Sequence, residues 1–273
     1  MTIRWTRPVV YFLLILFAAF YLMPMYVVVV TGLKSYSQVS LDTMWNFPTG
    51  IHFDSFIQAF QSLWPNLWNS LRIAVPAAIL SSFLGSINGY VFAKWKFPGS
   101  DRFFILVIFG IFLPYQAILI PLVLTLQRIG LYGTIPGVIF VHTIFGIPIT
   151  ALIFRSYFGG VPTEIVDAAK MDGAGFFGIF RWIMFPISMP AFAVVLIWQF
   201  TTIWNDFLIA VTVLSNPTVQ PVTVALNNLQ GSFFTEYNIQ MAGALIAALP
   251  TIILYLALGK LFMRGLLAGS LKG

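Results

Sequence analysis

The 273-residue sequence contains no cysteine and only two histidines. Disulfides, thiolate metal sites and cysteine nucleophiles are thereby excluded. Charge is almost as scarce. Asp, Glu, Lys and Arg make up 8% of the chain and hydrophobic residues 59%, whereas soluble domains run at about 25% charged and about 45–50% apolar. A soluble protein does not fit that contrast. No GxxxxGK[ST] loop occurs either: Gly259-Lys260 lacks both the upstream glycine and the following Ser or Thr, which removes nucleotide binding by that route. A net charge of +6 in a soluble chain would suggest nucleic acid. In a membrane chain it is expected to collect on one face of the bilayer, with no nucleic-acid partner.

What is present is apolar length. A crossing helix needs about 20 predominantly apolar residues, since each adds about 1.5 Å through a core about 30 Å thick. Six stretches reach that length: 9–30, 73–92, 103–126, 135–154, 191–214 and 241–262. The first follows Arg4 and Arg7, but its apolar run exceeds a signal-peptide core of about 7–15 residues, so a retained helix is expected. Prolines recur in or beside the spans (Pro24, Pro76, Pro114, Pro121, Pro136, Pro148, Pro250). Each removes an amide donor and bends its helix, which lipid tolerates where neighbouring groups satisfy the freed carbonyls. Ser81-Ser82-Phe83-Leu84-Gly85-Ser86 supplies small side chains for close helix approach. The predicted fold is all-α: a membrane protein of about six transmembrane helices, with residues 1–273 as one transmembrane domain.

Basic residues predict the orientation. With the N-terminus inside, Lys34, Arg72 and Arg128 fall in outer segments, and the other eleven of the 14 Lys and Arg fall inside. The positive-inside rule then predicts a multi-pass protein of the cell (inner) membrane with both termini, and residues 155–190, in the cytoplasm. Two outer segments are long. Residues 31–72 carry Trp45, Phe47, Trp64 and Trp68, which suggests short interfacial helices with aromatic anchors. Residues 215–240 are polar and nearly uncharged (Asn227, Asn228, Gln230, Gly231, Ser232), fitting an ordinary connector or a contact with a neutral ligand or its carrier.

Residues 161–190 are the one long stretch away from the termini with mixed charge: Glu164, Asp167, Lys170, Asp172 and Arg181. Thr163 suits the N-cap of a helix over 164–171, Glu164 complements the positive end of its dipole, and Gly173 suits its stop. Ile165, Ala168, Ala169 and Asp172 share a face at helical spacing. The paired alanines predict a shallow close-approach surface, and Asp167 and Asp172 offer charge to a basic partner. A second amphipathic piece over 176–185, ended by Pro186, completes a helix–turn–helix hairpin on the membrane surface. That hairpin reads as a docking element for a soluble partner; the plainer alternative is an amphipathic surface loop.

Asp167-Ala168-Ala169, then Gly173, nine residues, then Ile183 and Pro186, resembles the EAA loop of bacterial and archaeal ABC importer permeases. The similarity runs along nearly the whole chain to sugar-importer permeases of the maltose-type second-subunit family. It is carried by Asn69-Ser70-Leu71, Phe97-Pro98-Gly99, Trp204-Asn205-Asp206-Phe207 and the closing run from Arg264 to Gly273. The resemblance implies the permease subunit of an ATP-driven, binding-protein-dependent sugar importer working by alternating access, itself no enzyme, with no cofactor and no metal. Its coupling hairpin (Glu164, Asp167, Ala168, Ala169, Asp172, Gly173, Ile183, Pro186) would insert into a groove of a cytoplasmic ABC ATPase dimer. The other implied partners are a second homologous permease in a heterodimer, an extracytoplasmic sugar-binding protein and membrane lipid. The sequence departs from the pattern at Asp167, where the motif has Glu, and at Ser270, where Ala is usual. Residues 243–251 and Gly259 most resemble importers of the glucose and mannose kind.

Ionisable residues inside the spans are few: His142 and Asp206, the latter toward the outer end of its helix. Ion-coupled carriers place such groups deep in their helices, so an ion-coupled secondary carrier or channel for a small polar solute is the alternative rather than the main expectation. The expected substrate path comprises Gln199, Trp204, Asn205 and Asp206, with Asn88 and Gln116 as weaker candidates. A ring face on Trp204 suits the apolar face of a sugar, and Asn and Asp suit vicinal hydroxyls. The competing role for these residues is an aromatic belt and a polar tie between helices. His142 is expected to be a hydrogen-bonded bundle residue.

Overall fold

A computed structural model describes residues 6–229 and 236–270, without the side chains of Thr6 and of 260–270. Arg4, the Gln230-Gly231-Ser232 part of the outer segment, and the side chains of the closing run therefore lie outside the described residues. Within them the chain is helical and has no strand. By length and composition, four helices suffice to cross a membrane: α1 (Thr6–Gly32), α2 (Asp54–Lys94), α5 (Ile135–Gly159) and α12 (Tyr237–Ser270). Two bent pairs raise the number to as many as six.

The two bent spans differ from the continuous helices expected. In the region 103–126, α3 (Ser100–Phe109) and α4 (Leu119–Arg128) belong to limbs meeting at 89°. The corner has a physical cause. Leu113 precedes Pro114 and takes an extended ψ of 116°, because a proline ring crowds the helical conformation of the residue before it. In the region 191–214, α9 (Met189–Trp204) ends well before Leu214, and α10 (Leu208–Val213) follows after a three-residue break. At its other end α9 meets the preceding limb at 77°.

Helix α2 also differs from expectation. Its 41 residues span about 60 Å at helical rise, about twice the hydrocarbon thickness. Residues 54–72 are therefore its first turns, not separate interfacial helices. Between α1 and α2 the helical element is the single turn Tyr36–Gln38.

The chain packs as two units. One contains residues 1–65 and 225–249. There Leu63 is buried, and a Cβ on Gly243 would lie 2.9 Å from its Cδ1, so that glycine permits the contact. Asn238 Nδ2 donates to Ser55 Oγ at 2.9 Å, and buried Lys34 donates its Nζ to the Thr43 carbonyl at 2.7 Å. Residues 7–24 of α1 are exposed throughout, as suits a helix solvated by lipid.

The other unit contains residues 66–224 and 250–273. Its α2 and α5 touch through small residues. A Cβ on Gly89 would fall 2.6 Å from Phe154 Cβ and 2.7 Å from the Arg155 backbone nitrogen. A Cβ on Gly146 would fall 2.6 Å from Ser81 Cβ. Without a hydrophobic drive inside lipid, such close packing is what holds helices together. Thr150 adds a tie, donating its hydroxyl to the Ser81 carbonyl at 3.0 Å.

Candidate functional site

The 161–190 stretch folds as a hairpin. Helix α6 (Thr163–Met171) starts one residue earlier than expected, with Pro162 in the cap position and no side-chain cap, so Thr163 does not serve as N-cap. Its end is built as expected. Gly173 has φ +82°, a left-handed conformation glycine adopts freely. The Ala174 amide donates to the Ala169 carbonyl at 2.9 Å and the Gly173 amide to the Lys170 carbonyl at 3.0 Å. Those two bonds are the Schellman pattern, which satisfies carbonyls a helix end would otherwise leave bare.

The return limb begins with α7 (Phe176–Ile179), widens into a π-helical turn over Phe180–Met184, and continues as α8 (Phe185–Ile187). Pro186 sits inside this limb instead of ending it. Its missing amide cannot complete a regular helical ladder, and the widened turn coincides with that gap.

The hairpin is anchored by its inner face. Val166, Ala169, Ile179, Phe180 and Met184 are buried in one cluster with Tyr90 of α2, Phe154 and Phe158 of α5, and Phe192 of α9. Ile183 packs on the cluster's edge. Tyr90 lies 5.1 Å from the Phe176 ring and 5.4 Å from the Phe180 ring, pairs worth about 0.5–1.5 kcal/mol each beyond area burial. The outer face carries Glu164, Asp167, Ala168 and Asp172, all exposed. The two alanines therefore do not form one surface: Ala169 faces the core and Ala168 faces out. Asp167 pairs with Lys170 at 3.1 Å, with both side chains substantially exposed, so the pair contributes little stability. Lys170 Nζ also stands 5.0 Å from the centre of the Trp95 ring.

The second candidate region is the break between α9 and α10. Asp206 Oδ2 accepts from the Ala210 amide at 3.1 Å and lies 3.7 Å from His142 Nε2. Thr223 donates its hydroxyl to the Asp206 carbonyl at 2.7 Å. The side chains thus satisfy backbone groups that a broken helix exposes in an apolar setting. Ser70, His142, Trp204 and Asp206 border a cavity of about 10 Å³, about the space of one water and too small for a sugar. Trp204 is buried and stacks on Phe200 at 5.4 Å. Gln199 is buried and donates to the Gly146 carbonyl at 3.0 Å, tying α9 to α5. Asn205 is exposed and caps its own helix through the Thr201 carbonyl at 2.9 Å. Half-buried Asn88 donates to the Leu84 carbonyl at 2.8 Å and does not border this cavity.

Sequence reasoning missed the neighbouring strap. Asn69 Nδ2 donates to the Thr218 and Gln220 carbonyls at 2.9 and 3.2 Å, and Asn66 Nδ2 to the Gln220 carbonyl at 2.8 Å. The Val222 amide donates to Ser70 Oγ at 2.8 Å. Segment 217–222, expected as a plain connector or ligand contact, is pinned to α2. The Asn69-Ser70 pair was the available signal, and its partners were not readable from spacing.

Residues 81–267, which hold the hairpin and the break, match the family described as binding-protein-dependent transport system inner membrane component. A Pyrococcus horikoshii protein named as a probable ABC transporter permease is 46% identical, covering 98% of each chain. A glucose import system permease of Saccharolobus solfataricus is 33% identical, again covering 98% of each. The fold matches a chain of a bacterial ABC transporter that imports the acidic polysaccharide alginate, with a TM-score of 0.82 at 21% identity, over 95% of this chain and 97% of that one. The hairpin with its glycine stop, the membrane-length helices and these similarities agree, and the chain belongs to the family of binding-protein-dependent transport system inner membrane components.

Proposed function

We propose that this chain is the permease subunit of an ATP-driven, binding-protein-dependent sugar importer, in which a cytoplasmic ABC ATPase dimer grips the hairpin. The observation that carries the coupling role is the division of the hairpin into two faces. Val166, Ala169, Ile179 and Met184 lock it to helices α2, α5 and α9, while Glu164, Asp167, Ala168 and Asp172 stand free of that core. A force applied to the outer face is therefore delivered to the bundle through packed side chains. Coupling between distant sites needs such an element with different contacts in two global states.

In this reading residues 1–273 form one permease domain with both termini in the cytoplasm. A second homologous permease completes the path, and an extracytoplasmic sugar-binding protein delivers substrate. ATP hydrolysis belongs to the separate ATPase. Of the five path residues, Asn205 is exposed and Asn88 and Asp206 are half-buried; Gln199, Trp204 and Asp206 act by holding the broken helix and its neighbours. The archaeal glucose-import relative supports a sugar, of the monosaccharide class.

Reconstitution tests the whole reading. Sugar uptake into vesicles should require ATP, the ATPase and the binding protein, and should persist with a protonophore present. Uptake by this chain alone, driven by an ion gradient, would refute it in favour of a secondary carrier.

A further inference from the structure

The coupling role leaves unused a groove bounded by Phe83 and Ile87 of α2 and by Phe177, Phe180, Arg181 and Phe185 of the return limb. Its open volume is about 600 Å³, in the range of sites that hold a sizeable small molecule. Phe83 stands edge-on to Phe180 and Phe185 at 6.1 and 6.4 Å, so the walls are aromatic and closely joined. Among the described residues, Arg181 is the one polar residue that lines it. Its guanidinium lies 5.1 Å from the Trp182 ring, and among the described residues no carboxylate pairs with it. One wall belongs to a membrane-crossing helix and the other to a limb whose Phe177 and Trp182 are each 75% exposed. On the orientation proposed above, the groove would lie near the cytoplasmic end of the apolar layer.

The occupant must satisfy both features. A sugar would find almost no hydrogen-bonding partners on these walls. A purely apolar protein surface would bury Arg181 without a counter-charge. An acyl chain ending in an anion matches the aromatic walls and the cation together, since basic pockets between membrane helices on the cytoplasmic side take anionic head groups. We propose that this groove binds one acidic phospholipid, its acyl chain on Phe83, Phe180 and Phe185 and its phosphate on Arg181. The assignment to the cytoplasmic leaflet rests on the orientation proposed above.

The test uses the full chain in its assembled transporter, reconstituted in phosphatidylcholine vesicles with a photoactivatable phosphatidylglycerol, and with the matching phosphatidylcholine probe as control. The acidic probe is expected to label the peptide carrying residues 176–187. Arg181→Gln should lower that labelling about fivefold, and Arg181→Lys should retain most of it. Equal labelling by both probes, or no loss in Arg181→Gln, overturns the proposal. So does competition by inorganic phosphate alone, which would make the ligand a free anion. Labelling of the isolated chain that vanishes in the assembled transporter would assign the groove to a protein interface and equally refute it. Leaflet is tested separately. Met171→Cys, in a chain without other cysteines and reconstituted without the ATPase that would cover the hairpin, should react with a membrane-impermeant maleimide from the cytoplasmic side; reaction from outside would refute the orientation and leave the groove result standing.

Discussion

Replacing Gly173 with valine should uncouple the hairpin while leaving the membrane bundle intact. At φ +82° a side chain meets its own backbone, and nothing else lies within 4 Å of where a Cβ would sit, so the cost is conformational rather than steric crowding by neighbours. An ordinary L-residue in that region costs about 1–2 kcal/mol, and a β-branched one is worse placed. Also at stake are the Schellman bonds from Ala174 and Gly173 to the Ala169 and Lys170 carbonyls. A loss of one or two kcal/mol lowers the ratio of correctly stopped to frayed helix ends by a factor of about 5–30, the upper bound on the effect. Uptake per permease, with binding protein and ATPase supplied, should fall by up to that factor in Gly173→Val, with unchanged permease content in the membrane. Gly173→Asn should remain near the parent, because asparagine tolerates the left-handed region. Gly175→Ala is the control, since Gly175 has φ −79° and open space around it. Equal uptake in Gly173→Val and Gly175→Ala would refute the reasoning.

Three further outcomes follow from packing. Gly89→Ala and Gly85→Ala should each lower thermal stability in detergent more than Gly159→Ala, since the new methyl would meet Phe154 Cβ at 2.6 Å in the first case and buried Thr150 Cβ at 2.5 Å in the second, whereas Gly159 has open space around it. Asn69→Leu should cost about 1–3 kcal/mol by stripping the Thr218 and Gln220 carbonyls of a donor, read as a lower midpoint of thermal unfolding. Asp101→Asn should cost under about 1 kcal/mol, because its 2.7 Å pair with Arg155 is solvent-exposed. Arg155→Ala should cost more, since it also loses a guanidinium 4.0 Å from the Phe104 ring centre; a double-mutant cycle separates the two.

Much of this architecture was legible because hydropathy reports what lipid demands. The six apolar stretches, the charged hairpin and the glycine stop could be read from residue type and spacing alone. Breaks were not. Hydropathy stays high through Leu113-Pro114, and the polar Asn205-Asp206 pair lies between apolar runs long enough for residues 191–214 to read as one span. The face of α6 expected to meet a partner differs at one position, Ala169, which is buried while Ile165, Ala168 and Asp172 are exposed. Nine residues offer overlapping stripes, and the Tyr90 cluster behind the helix selects Val166 and Ala169 over Ile165 and Ala168. Gln199, Trp204 and Asp206 looked like ligand contacts since polarity in an apolar run invites that reading. Phe200 and Ala210 lie four residues from Trp204 and Asp206, but the Gln199 partner, Gly146, is a distant position that single-sequence spacing does not reveal.

The glycine contacts between α2 and α5 also bear on how the protein moves. Where backbones meet without intervening side chains, there is no layer of rotamers to repack, and sliding one helix along the other brings Cβ atoms into collision. Along that contact, residues 81–89 of α2 and 146–155 of α5 behave as a single stiff body. Deformation during a transport cycle is then left to the points where the regular helical ladder is interrupted, the corner at Leu113-Pro114 and the break at 205–207. Paired spin labels on α2 and α5 should hold a constant separation through the ATPase cycle, while labels flanking either interruption should not.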